Sequence, residues 1–234
     1  MPASQNALLA SLPAGAAAAI MPHLSTAHLT SKLVLFEKGA SIARAYFPTS
    51  AVISLVVGLS SGEMIEAAMV GRDGVVGAAA ALDGRVSLTR AIVQIEGSAL
   101  TCDANMLAAV AFQNQGFLST LIRYEQTLYA QAQQSTACMA AHDIQSRLCR
   151  WLLRARDLAG SDKLPFTQEF LAEMLGVTRS SVTLVALHLQ QAGLIRYTRG
   201  RIEILDAAAL EDCSCECYAA IRDSYRETIE SSRL

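Results

Sequence analysis

Arg179, Ser180, Ser181 and Thr183 bring a guanidinium and several hydroxyls into one short stretch of chain. A planar guanidinium fork takes two hydrogen-bond acceptors at once, as on a guanine edge, and hydroxyls serve bases and phosphates alike. The serines are poor nucleophile candidates, because the one base in reach is His188, further along the same predicted helix. The chain also contains no phosphate loop, no nucleophile elbow and no paired metal-ligand motif, so recognition is expected and enzyme catalysis is not. Charge distribution narrows the ligand. Between Gly176 and Arg201 stand four arginines (Arg179, Arg196, Arg199, Arg201) and no carboxylate, whereas Glu203 to Glu230 is rich in acids. The formal net charge of −2 conceals this window, and a polyanion is the class of ligand that suits it.

The elements needed to present these residues can be read around them. Thr167 is a good N-cap, Gln168 to Leu175 predicts a short helix, Gly176-Val177-Thr178 a tight turn, and Arg179 to Gln191 a second helix stopped by Gly193. Ala172 is small where the helices must cross, Gly176 supplies a positive φ, and Leu171, Leu175, Val177, Val182 and Val185 fall at inward positions. This is the spacing of a helix-turn-helix whose second helix offers its N-terminal residues to a major groove. Behind it, Leu194 to Tyr197 and Arg201 to Leu205 flank Thr198-Arg199-Gly200, a compact hairpin with a basic tip. The candidate DNA-contact residues are Thr167 and Gln168 at the head of the first helix, Thr178, Arg179, Ser180, Ser181 and Thr183 on the second, and Arg199 and Arg201 on the hairpin. The plainer alternative is a helical hairpin whose serines and arginines are simply solvated. The acid-free window and the hairpin weigh against it.

Upstream, 234 residues of which 52% are hydrophobic can fill one large core or two modest ones. Residues 5–21 read as two short helices divided at Pro13, and from Leu29 onward the pattern changes to short β-type runs. The runs 33–36, 45–47, 51–57, 64–70, 88–95 and 98–102, separated by turn residues, predict an antiparallel sandwich or barrel of the jelly-roll kind. Asp103 reads as an N-cap, and a long helix is expected from about Gln115 to Ala137. Its apolar residues Phe117, Leu121, Tyr124 and Leu128 step by four, three and four, which fits either a coiled-coil seam or a helix lying on its own domain. A further helix, His142 to Ala159, carries Ile144, Leu148, Trp151 and Leu152 on one face.

Six cysteines without framework spacing argue for a reducing compartment. Cys213, Cys215 and Cys217, with Cys138 or Cys149, are a candidate ligand set, but Cys-x-Cys-x-Cys is not the Cys-x2-Cys spacing that suits tetrahedral zinc. His23, His28, His142 and His188 are scattered, so no metal and no cofactor are expected. The stretch Met1 to Met21 has no Lys or Arg ahead of its apolar part and is broken by Pro13 and Gly15, unlike a signal peptide. No apolar run approaches the roughly 20 residues of a membrane span. A soluble, cytoplasmic protein without membrane partners is the expectation.

Strands first, then a long helix, then the segment Phe166 to Ile204: this order resembles the CRP/FNR family of bacterial transcription regulators. The resemblance covers nearly the whole chain and is most specific from Gln168 to Leu194. It implies an α+β fold with an N-terminal antiparallel β-roll of the cyclic-nucleotide-binding type, a long dimerisation helix and a C-terminal winged helix-turn-helix, in units 1–114, 115–140 and 141–234. It further implies a homodimer on a palindromic promoter site in double-stranded DNA, RNA polymerase as another partner, and a roll that senses an effector. In cAMP-binding members a Gly-Glu pair and a later Arg followed by Ser or Thr hold the ribose and cyclic phosphate. The matching effector-site positions here are Gly74, Val75 and Gly77, then Thr89 and Arg90; Val75 replaces the glutamate and the later pair is reversed. The resemblance therefore does not point to cAMP, and another small molecule, or a pocket filled by Ala78 to Ala81, stays open. Ser180 and Leu184 stand where many members have an acid and a second Arg, so the target site differs as well. The rival from another class is a ligand- or redox-sensing interaction module that does not bind DNA.

Overall fold

The computed structural model describes residues 5–82 and 86–231; the ends of the expected units 1–114 and 141–234 lie outside the described residues. The element order is α1 (Ala7–Ala10), α2 (Ala14–Ile20), β1 (Ser25–Leu29), β2 (Val34–Phe36), β3 (Arg44–Pro48), β4 (Val52–Gly58), β5 (Met64–Val70), β6 (Arg90–Ile95) and β7 (Gly97–Asp103). There follow α3 (Ala104–Gln113), α4 (Gln115–Ala141), α5 (Ile144–Ala159), β8 (Lys163–Leu164), α6 (Gln168–Leu175), α7 (Arg179–Gln191), β9 (Ile195–Thr198), β10 (Arg201–Ile204), α8 (Ala207–Asp212) and α9 (Cys217–Ser231). Antiparallel sheets come first, a long helix next and a helix-turn-helix last, which is the α+β architecture expected.

β1 to β7 form two antiparallel sheets, ordered β1-β7-β3 and β2-β6-β4-β5. Their inner faces meet on Leu29, Phe36, Ile53, Val70, Ala91 and Val93. β2 to β7 coincide with the predicted runs, but β1 was not anticipated, because its sequence Ser-Thr-Ala-His-Leu is mostly exposed and lacks an apolar alternation. Tertiary pairing with β7 decides it, from Ser25 opposite Thr101 to Leu29 opposite Gly97. Asp103 does cap α3, its carboxylate accepting from the Asn105 and Met106 amides.

Helix α4 departs from one of the two readings its sequence allowed. Phe117, Leu121 and Tyr124 are fully buried inside their own chain, packed on the roll, on α2 and α3, and on Ile221 and Tyr225 of α9. That stripe is intrachain core, not a seam offered to a second molecule. The cause is α9, which returns along α4: the Thr127 and Thr228 hydroxyls lie 2.5 Å apart, and Tyr225 donates to Gln131 Oε1 at 2.6 Å. Ile122 and Tyr129 remain exposed on α4.

The strand period of two explains how α5 reaches the roll. Ile53 of β4 points into the sandwich, while Val52 and Val56 point out and, with Met69, join the core built on Leu148, Trp151 and Leu152 of α5. Ser54 and Glu66 lie among these outward residues. The Trp151 indole N–H donates to Glu66 Oε1 at 2.8 Å, and the Ser54 hydroxyl donates to Glu66 Oε2. Next to them Arg154 donates to Asp73 Oδ2 at 2.7 Å and lies over the Tyr225 ring, 4.4 Å from its centroid. Among the described residues no single helix is long and apolar enough to cross a membrane.

Burial lifts the Glu66 carboxyl from its ordinary 4.5 to about 7, against the opposing pull of the Ser54 and Trp151 hydrogen bonds and of Arg150. The folded chain therefore holds this proton to higher pH than the unfolded chain does. The stability tied to it is complete below about pH 4.5 and is lost as pH rises to about 7. Glu66→Gln removes the titration. In denaturant unfolding, the stability of the variant relative to the parent is expected to improve by up to about 3 kcal/mol as pH rises across this window. A pH-independent difference would show that Glu66 is not held neutral.

Candidate nucleic-acid interface

Helices α6 and α7 meet at a bend of 113°. The Thr167 hydroxyl caps α6 by accepting from the Phe170 amide at 3.1 Å, and Thr178 caps α7 by accepting from the Ser181 amide at 3.3 Å. Between them Gly176 takes φ +62°, and the Val177 amide closes the turn on the Ala172 carbonyl at 3.0 Å. Leu171, Ala172, Leu175 and Val182 are buried as the crossing requires, with Val177 and Val185 packed at the margin of the same core.

The outward side of this unit is polar and continuous. Gln168, Arg179, Ser180 and Thr183 line one shallow surface hollow together with Leu184 and Leu187. Thr183 donates to Gln168 Oε1 at 2.8 Å, so one hydrogen bond ties the head of α6 to the exposed face of α7. Arg179 reaches to 3.5 Å from Glu169 Oε2, and both side chains are well exposed. Ser181 is half-buried and its hydroxyl lies 2.8 Å from that of Thr178, which gives it a capping partner rather than a free surface. Leu187 was not anticipated; its signal is an apolar residue three positions after Leu184, on the same helical face.

β9 and β10 pair as the expected hairpin, Arg201 opposite Thr198, and β8 adds a third short strand. A side chain at Gly200 would stand 3.9 Å from Thr167 Cγ2, so the hairpin tip with Arg199 lies beside the head of α6. Arg201 instead lines a cleft of about 590 Å³ between the hairpin and the roll, shared with Ser50, Glu96 and Lys163. Arg196 is engaged by Glu203 at 3.0 Å. The structure thus gathers Gln168, Arg179, Ser180 and Thr183 on one face, sets Thr167 and Arg199 at its edge, and turns Arg201 toward the cleft.

Within the roll a cavity of about 310 Å³ is lined mainly by apolar side chains such as Phe36, Leu55 and Leu128. Of the candidate effector residues, Val75, Gly77 and Thr89 line it and Gly74 and Arg90 do not. A Cβ on Gly74 would collide with Tyr124, and Arg90 Nε faces Glu37 at 3.3 Å. Helix α4 contributes Glu125 to the cavity, and burial raises its carboxyl to about 7 against a hydrogen bond from the Ala79 backbone.

Residues 146–213 match the model of the Crp-like helix-turn-helix domain. No curated protein sequence matches the chain significantly. Among solved structures, FixK2 from Bradyrhizobium japonicum is 15% identical with a TM-score of 0.70, covering 82% of this chain and 98% of that one. A crp/fnr-family transcriptional regulator from Eubacterium rectale is 17% identical with a TM-score of 0.67, covering 88% and 96%. A CRP-family regulator from Thermus thermophilus is 21% identical with a TM-score of 0.67, covering 80% and 95%. At these identities the likeness establishes the fold.

The turn between α6 and α7 is the strictest local requirement of the unit. Gly176→Ala would force an L side chain into the left-handed region and set its Cβ 3.1 Å from Ile65 Cδ1. A loss of about 1 to 2 kcal/mol in denaturant unfolding is expected from the backbone alone. A neutral substitution would mean that the turn relaxes away from the conformation described.

Proposed function

Because this chain carries a Crp-like helix-turn-helix domain on the fold of the CRP/FNR regulators, we propose that it is a sequence-specific transcription regulator that binds a palindromic promoter site as a homodimer. The observation that carries this reading is the single exposed face shared by Gln168, Arg179, Ser180 and Thr183. Arg179 is assigned to guanine O6 and N7, Ser180 and Thr183 to neighbouring base edges, and Leu184 and Leu187 to thymine methyl groups. Thr167 and Thr178 at the helix caps, with Arg199 at the hairpin tip, are assigned to the sugar-phosphate backbone, whereas Ser181, engaged by Thr178, and Arg201, turned to the cleft, are not. The protein acts by binding rather than catalysis, in the cytoplasm, with RNA polymerase as its partner at the promoter.

The division of labour follows the units 1–114, 115–140 and 141–234, as sensor roll, dimer helix and DNA-reading unit. The dimer contact is assigned to the face of α4 that carries Ile122 and Tyr129, since the Phe117, Leu121 and Tyr124 face is occupied within the chain. A two-fold axis along this helix would set the two α7 helices in successive major grooves. The roll cavity supports control by something other than cAMP. Among the described residues its lining includes Glu125 and no arginine, so from these residues a cyclic phosphate would meet a carboxyl and no cation.

Selection of sites from random DNA by the purified chain, without added ligand, tests the reading. A palindrome with steep salt dependence is expected. Arg179→Ala should weaken the selected site by about 5- to 150-fold (1 to 3 kcal/mol) and relax one base position in each half-site. Arg199→Ala should weaken all sequences alike and lower the salt slope by about one phosphate. The proposal fails if no sequence is enriched either alone or with cell extract added.

A further inference from the structure

Two pairs of potential metal ligands that lie far apart in the sequence converge at the end of α4. Cys138 lies on the last turn of α4, His142 is the residue that ends it, and Cys215 and Cys217 lead into α9. One ligand atom from each lies within 4.8 Å of every other. The Cys138 and Cys215 sulfurs are 3.5 Å apart, and the Cys217 sulfur is 3.7 Å from His142 Nδ1. A tetrahedral ion with Zn–S bonds of about 2.3 Å and a Zn–N bond of about 2.0 Å spaces its sulfurs by about 3.8 Å and sulfur from nitrogen by about 3.5 Å. Both separations match within a few tenths of an ångström.

We propose that Cys138, His142, Cys215 and Cys217 form a tetrahedral site for a thiophilic divalent ion, zinc foremost, that pins the end of α4 to the start of α9. The expectation of no metal rested on the spacing of Cys213, Cys215 and Cys217 and on scattered histidines; the proposed site leaves Cys213 out and takes Cys138 and His142 from the end of α4. The surroundings are those of a ligand shell. His142 Nε2 lies 3.2 Å from Glu216 Oε1, the carboxylate that orients a metal-bound imidazole by holding its other nitrogen. Gln134 donates to the Cys217 sulfur at 3.0 Å. All three sulfurs are buried. Arg147 and Arg150, buried on the adjoining helix α5, each keep an Nε without a hydrogen-bond partner among the described residues. Each thiol binds as thiolate and gives its proton to solvent, so three thiolates, a neutral imidazole and a divalent ion carry a net charge of −1 beside these guanidiniums. Three sulfurs and one imidazole favour zinc over magnesium or calcium, which prefer oxygen. The ligands leave no open coordination position, so the role is structural: the ion fixes the junction where α4 passes into α5.

The test uses the full chain, reduced and stripped by chelator, then titrated with Co2+ and separately with Zn2+. One equivalent of Co2+ per chain is expected, with the visible bands of a tetrahedral cobalt centre, near-ultraviolet sulfur-to-cobalt charge transfer, and displacement by Zn2+. Cys215→Ser and Cys217→Ser should lose the signal, Cys213→Ser should retain it, and Glu216→Gln should weaken zinc about 10- to 100-fold. Circular dichroism confirms folding in each case. The proposal is overturned if the folded wild-type chain binds no metal, if Cys213→Ser loses binding as Cys215→Ser does, or if the cobalt spectrum shows oxygen ligation without thiolate.

Discussion

The indole N–H of Trp151 meets the carboxyl of Glu66 where the helix-turn-helix unit rests on the roll, and the seating of that unit turns on this contact and its neighbours. Apolar packing of α5 on Val52, Val56 and Met69 supplies affinity between the two parts but little direction, because hydrophobic contact tolerates sliding. The buried polar pairs supply direction. Leaving one partner unsatisfied in such a place costs about 1 to 3 kcal/mol, and more if it is charged. Trp151 with Glu66 and Arg154 with Asp73 therefore specify one seating of the unit and penalise intermediate ones. The seating extends to the turn itself, since Arg147 donates to the Leu175 carbonyl and Ile65 of β5 packs beneath Gly176.

Helix α4 is the element through which distant parts share a mechanical frame. Its first half fills the roll side with Phe117 and Tyr124, its middle lines the cavity with Glu125 and Leu128, and its last turn carries Cys138. Helix α9 braces it along the way and also touches α5, where Arg154 covers Tyr225 and Asp157 accepts from Tyr218 at 2.8 Å. A disturbance in the cavity thus meets a helix already held by the roll, by α9 and by the junction to α5, and a packed interior moves between discrete arrangements rather than deforming smoothly.

How much of this was legible in the sequence follows from the range of the interactions. The helix-turn-helix could be read residue by residue because its determinants are local: Thr167 and Thr178 cap the helices that follow them, and Gly176 sits where positive φ is required. The runs of β2 to β7 were legible for the same reason. What failed to show was set by partners far along the chain. β1 is a strand because β7 pairs with it, and the thiol cluster joins residues 77 positions apart. The stripe on α4 was visible, but period alone cannot say which surface a helix buries, and α9 had not been recognised as the element that covers it. Among the candidate contacts Gln168, Arg179, Ser180 and Thr183 came together as the motif implies, whereas Arg90 and Gly74 showed no sign in sequence that they would turn away from the cavity.

Charge placement adds a reason why the exposed face of α6 and α7 can be both stable and available. The acids that follow the arginine window are not idle: Glu203 pairs with Arg196 at 3.0 Å, and Glu211 with Arg222 at 2.9 Å. Arg179 is treated differently. Its neighbour Glu169 is 3.5 Å away, and side-chain exposures of 67% and 72% put the pair in solvent, where such a bridge is worth about 0 to 1 kcal/mol. On the assignment proposed for Arg179, a bidentate contact with a guanine edge, at about 1 to 3 kcal/mol of discrimination, would outweigh that bridge. On that assignment the glutamate would be a weak holder of the guanidinium, one that a base edge can replace.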